Sequence, residues 1–281
     1  MRLFHHGAQG APSASGRPAA GRTVALLASS LALVGLLAVP ATASASSKKV
    51  VVVVGPVGSQ TSDYRDSARR YADYARSLGA SVTEIYSPRA TWRRVKRALQ
   101  GANLLIYLGH GNGWPSPYYP FNPYTKDGLG LNASADNGNS NTKYYGEYYL
   151  DTKVQMATNA VVILNRLCYA SGNNEWGSGY PTRKTARKRV DNFGYGFLHA
   201  GAKAVFATAI DSVHHVIHDL FRTNRTMRRI FRTDPAYNGN WVGSFDSGRT
   251  GWARGMLDPS HHDHFYHSLV GKLGMTAADW R

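Results

Sequence analysis

Cysteine is almost missing: Cys168 is the one thiol in 281 residues, so an intrachain disulfide scaffold is excluded. Acids are also scarce, with 17 Asp and Glu against 33 Lys and Arg, giving a formal charge of +16. That field admits many anionic partners and selects none of them. Charged residues are only 18% and hydrophobic ones 43%, which excludes a wholly disordered chain. No internal repeat, interdomain linker or nucleic-acid reader module interrupts the chain, and the zinc-hydrolase pattern H-E-x-x-H is absent. Long apolar runs are missing too, apart from one near the amino terminus.

That run extends from Thr23 to Val39, follows Arg2, Arg17 and Arg22, and leads through Pro40 into ATASA at 41–45. A basic segment, an apolar segment and an Ala-x-Ala site make a secretory signal peptide. Cleavage is expected after Ala45, with Ala43 as the alternative. The run is short for a bilayer span and has no basic stop-transfer cluster close behind it. Residues 1–45 are therefore read as the signal and 46–281 as one α/β domain, secreted or cell-wall associated, without a stable membrane span. In an oxidising exterior a lone thiol is a liability, so Cys168 is either a small buried hydrophobe or a functional group.

The mature chain alternates between apolar strands and amphipathic helices. Five valines at 50–54 end in Gly55-Pro56, as a strand buried on both faces would. Helical spacing follows over 62–78, a shorter strand over 81–86, and a second helix over 91–102. NLLIYL at 103–108 and AVVIL at 160–164 are further strands, and AKAVFATAI at 202–210 is a fifth. Helices are expected over 184–199, from His214 to Phe221 with a continuation through Ile230, and around 265–273. This order predicts a three-layer sandwich with a mostly parallel, doubly wound sheet. A Tyr-, Asn- and Gly-rich insertion at about 112–158 breaks it, and so long an excursion reads as a binding loop or lid.

In such a sheet, residues just beyond the carboxyl ends of the strands share one crevice. His110 stands two residues past the third strand, and Cys168 stands a few past the fourth. If those strands are neighbours, a thiol nucleophile and its imidazole partner enter the same cleft. Gly109 and Gly111 let the backbone turn sharply beside the histidine. The Gly111 and Cys168 amides are then placed to receive a developing oxyanion.

IYLGHGNG at 106–113 and VVILNRLCYASG at 161–172 resemble the histidine and cysteine blocks of the caspase–haemoglobinase group of cysteine peptidases, which includes legumains and gingipains. The resemblance implies a caspase-like fold, His110 and Cys168 as a catalytic dyad, and Gly111 and Cys168 as oxyanion donors. It further implies that Arg65, of the Tyr64-Arg65 pair, and Arg166 shape the primary substrate pocket. Two arginines there would favour an acidic side chain. Asp211, ending FATAID, would neutralise one of them and shift the preference toward Asn. Hydrolysis and acyl transfer to an amine both remain open.

The expected partner is a peptide or protein substrate, with an anionic cell-wall polymer as a further candidate and no nucleic acid. No cofactor is expected, and no metal. Near the carboxyl end His261, His262, Asp263, His264 and His267 offer metal donors, but adjacent histidines do not generally ligate one ion together. The alternative function is a non-catalytic wall or carbohydrate-binding protein that uses the Tyr/Trp-rich insertion for stacking. Basic runs at 183–189 and 225–232 are read as solvated faces.

Overall fold

In the computed structural model, which describes residues 47–281, each valine of the first run goes to one of two cores. Strand β1 (Lys49–Val54) sends Val51 and Val53 to one face and Val50, Val52 and Val54 to the other. That alternation is the period-2 geometry of a strand covered on both sides. The proposed signal segment lies outside the described residues. No described helix is long and apolar enough to cross a membrane.

Helix α1 (Thr61–Ser77) packs Ala68, Tyr71, Ala72 and Ala75 on one face of the sheet. Strand β2 (Ser81–Tyr86) follows, then α2 (Trp92–Leu99) with Val95 and Leu99 on the opposite face. Strand β3 (Leu104–Leu108) is wholly buried. The insertion contains an antiparallel pair, β4 (Leu129–Asn132) and β5 (Thr142–Tyr145), and a short helix α3 (Glu147–Lys153). Strand β6 (Ala160–Asn165), helix α4 (Arg183–His199) and strand β7 (Ala202–Thr208) complete the parallel part.

The remaining chain forms α5 (His214–Arg222), α6 (Met227–Arg232), β8 (Gly243–Asp246), β9 (Arg254–Leu257), β10 (His267–Gly271) and α7 (Ala277–Trp280). The main sheet runs β2-β1-β3-β6-β7-β10-β9-β8. Its first five strands are parallel and the last three antiparallel. The result is a mixed α/β fold with a central sheet flanked by helices on both faces.

Two sequence expectations are corrected here. The helix expected around 265–273 is strand β10, because all five of its residues are buried and pair with β7 on one side and β9 on the other. The helix expected to run on from His214 through Ile230 stops at Arg222, and α6 restarts at Met227 with the Thr226 hydroxyl capping Arg229 N–H.

Candidate active site

Strands β3 and β6 lie side by side in register, with Leu108 opposite Asn165. Their carboxyl ends therefore open at the same edge of the sheet. Beyond β3, the fully buried Tyr107 shapes the turn. Its hydroxyl lies 2.8 Å from the Gly130 carbonyl and 3.1 Å from the His110 carbonyl, and it accepts the Gly130 N–H at 2.9 Å. Gly109 is required because a Cβ there would lie 2.3 Å from that hydroxyl. A Cβ at Gly111 would lie 2.0 Å from the Cys168 carbonyl oxygen, so the two turns touch through their backbones.

The turn after β6 is held in left-handed backbone at two ordinary residues, Arg166 (φ 62°) and Tyr169 (φ 69°). Such positions cost about 1–3 kcal/mol each and persist only where their surroundings over-determine them. Here Arg166 N–H donates to the Thr208 carbonyl at 2.9 Å, and Gly172 N–H donates to the Tyr169 carbonyl at 2.9 Å. The Asn165 amide donates to the Asp211 carbonyl at 2.9 Å, while its oxygen accepts from the Tyr71 hydroxyl at 3.1 Å. Ser171, buried, donates to the Phe265 carbonyl at 2.8 Å and ties the turn to the chain before β10.

His110 and Cys168 both line one cavity of about 190 Å³. Its floor and walls come from the segments after β1, β3, β6 and β7 and from the chain leading into β10, with Tyr64, Arg166, Glu175 and Tyr266 among them. His110 is solvent-accessible, yet desolvation holds its pKa below the usual imidazole value against the opposing pull of Glu175. Burial pushes the Cys168 thiol up to about 11, and Glu175 adds to the rise. At neutral pH these shifts leave the His110 imidazole neutral and the Cys168 thiol protonated. Gly111 N–H has no protein acceptor among the described residues.

The substrate-binding expectations divide. Arg166 lines the cavity, its guanidinium 5.4 Å over the Tyr64 ring and its Nε buried without a partner. Arg65 does not line it: helical rotation points the guanidinium away, toward the Ser87 carbonyl at 3.4 Å. Asp211 is likewise outside the lining and serves through its backbone, the carbonyl accepting from Asn165 and the N–H donating to Thr208 Oγ1.

Two residues that build the surroundings of the cavity carried no sequence signal. Glu175 enters the cavity from the loop after Cys168 and accepts from the Tyr169 hydroxyl at 3.0 Å. Arg189 belongs to a run read as a solvated basic face, but it is only 3% exposed. Its guanidinium donates to the Pro115 carbonyl at 2.7 Å, the Asn173 carbonyl at 2.7 Å and Asn174 Oδ1 at 2.5 Å, and it stacks 4.7 Å from the Tyr169 ring. One buried cation thus joins the insertion to the loop that carries Glu175. The insertion is further pinned by Lys126, whose ammonium donates to Asn112 Oδ1 at 2.8 Å and the Tyr118 carbonyl at 2.9 Å.

No protein-family model matches the chain, and no curated protein matches it in sequence.

Proposed function

We propose that the protein is a secreted cysteine-type peptidase, or an acyl-transferring relative, on a caspase-like variant of the α/β sandwich. The observation that carries this reading is the opening of His110 and Cys168 into one cavity at the ends of adjacent parallel strands. Two features of the main sheet add support: the histidine follows its third strand and the cysteine its fourth, and the glycine beside the histidine packs on the cysteine backbone.

The mechanism follows from the resting protonation states. A thiol near pKa 11 that shares its cavity with a neutral imidazole is not a preformed ion pair, so in this reading His110 works as a general base once substrate excludes water. It takes the proton from Sγ as Sγ bonds to the scissile carbonyl carbon. The carbonyl π electrons move onto oxygen, where the Gly111 and Cys168 N–H groups receive the charge. Collapse of this intermediate expels the amine, which takes the proton from His110 and leaves an acyl thioester on Cys168. Water or a second amine then attacks the thioester and gives a proton to His110, and the departing sulfur takes that proton from His110, restoring the thiol and the neutral imidazole. Arg166 would contact the side chain before the cleaved bond.

Incubation with a mixed peptide pool, with and without an added amine, tests the reaction by product mass. Cleavage or transfer that disappears in Cys168→Ala and falls at least about 100-fold in His110→Ala is expected. Products that survive Cys168→Ala contradict the assignment.

The second reading, a non-catalytic wall or glycan binder, rests on exposed aromatics, with Tyr119 85% and Trp176 82% exposed. It also draws on a groove of about 460 Å³ lined by Arg183, Lys184, Arg187 and Lys188. Glycan binding unchanged in Cys168→Ala, without any peptide turnover, would favour it.

A further inference from the structure

We infer that the turn at 260–264 is a binding site for one divalent transition-metal ion of the zinc, nickel or copper class, held by His261, His262 and Asp263. Consecutive side chains normally diverge, but here the chain curls on itself. His264 N–H donates to the His261 carbonyl at 3.1 Å, and Ser260 N–H donates to the His264 carbonyl at 3.1 Å. Within this closed turn, one ligand atom from each of the three residues lies within 4.8 Å of the others, the one such group among the described residues.

The spacing suits coordination. His261 Nδ1 is 2.9 Å from Asp263 Oδ1, and His262 Nε2 is 3.4 Å from Asp263 Oδ2. Donors in a tetrahedral zinc site with bonds of about 2.0–2.1 Å stand about 3.3 Å apart. Small rotations of exposed side chains complete the sphere, with water in the open position. His264 supports the carboxylate from the inner side. Its Nδ1 is buried 2.8 Å from Asp263 Oδ1 without a well-directed hydrogen bond, and its ring packs 3.7 Å from that of Tyr180. Two imidazoles and one carboxylate favour zinc, nickel or copper over calcium or magnesium.

The site is independent of the peptidase reading, although Asp263 also lines the cavity, which puts the ion at its rim. Titration of untagged protein with zinc chloride, followed by calorimetry, tests it. One equivalent should bind, and His261→Ala or His262→Ala should each weaken binding at least about 10-fold. Cys168→Ala and His218→Ala should bind as the parent does. Trp241 stands 5.6 Å from His261, so nickel or copper should quench a fluorescence component that Trp241→Phe removes while binding persists. Absence of saturable binding would overturn the site. So would binding that is unchanged in the folded His261→Ala, His262→Ala double variant, or that is lost in Cys168→Ala.

Discussion

The two halves of the main sheet divide the work differently. The parallel half, β2-β1-β3-β6-β7, delivers His110 and Cys168, the proposed dyad, from the carboxyl ends of its strands. The antiparallel half, β10-β9-β8, delivers no reactive group to the proposed dyad, but the chain leading into β10 supplies Asp263, Phe265 and Tyr266 to the cavity wall. Parallel strands all end at one edge, so a short turn after each converges on one place. Antiparallel strands end alternately, so their contribution comes from a connecting loop. The proposed chemistry is concentrated where the strand directions agree.

Perturbing each half should therefore produce different losses. The largest effect is expected from Gly111→Ala, whose Cβ would collide with the Cys168 backbone. Peptide turnover should fall by at least about 100-fold, since one displaced turn moves imidazole and oxyanion donors together. Arg189→Met comes next. It leaves the half-buried Pro115 and buried Asn173 carbonyls without their guanidinium donor and should cost about 3 kcal/mol in urea unfolding. Loosening of the Glu175 loop should accompany it, read as faster proteolysis near residues 173–180.

Glu175→Gln acts by charge rather than by packing. Its carboxylate raises the Cys168 pKa, so its removal should lower that value and increase the thiolate fraction at any pH below it. Alkylation by iodoacetamide at pH 8 should rise severalfold, and an unchanged rate would place the carboxylate too far away. The smallest effect belongs to the antiparallel half. Gly255 faces Phe245 across the β8–β9 pair, where a Cβ would lie 2.1 Å from the ring. Gly255→Ala should destabilise by about 1–3 kcal/mol while leaving the turnover of the folded protein intact. A comparable loss of activity there would erase the contrast between the halves.

The same contrast governs what the sequence displayed. Strands β1, β3, β6 and β7 are buried on both faces, so they stand out as unbroken apolar runs whose ends mark the turns that carry His110 and Cys168. The antiparallel strands are short and carry Gly, Ser, Asp, Arg and His, and β10 begins with His267. That residue is buried by stacking 4.2 Å from Phe231 and by facing Asp258, a tertiary reason invisible in a linear pattern. Arg189 misled for a related cause: nothing in a run of basic residues marks which one turns inward. On α1 the cavity is lined by Tyr64 rather than the adjacent Arg65, because neighbouring helical positions point in different directions. Glu175 lies in an irregular loop without periodicity, and only the folded chain brings its charge to the thiol.

The most direct measurement compares two labelling rates at Cys168 in the native protein at pH 7: a peptidyl halomethyl ketone, and a plain alkylating agent with a similar leaving group. With the resting thiol near pKa 11, the plain reagent should react slowly, and the peptidyl reagent should react far faster because a docked peptide lets His110 take the proton. That excess should vanish in His110→Ala. Equal rates for the two reagents, or an excess that survives His110→Ala, would contradict a working pair.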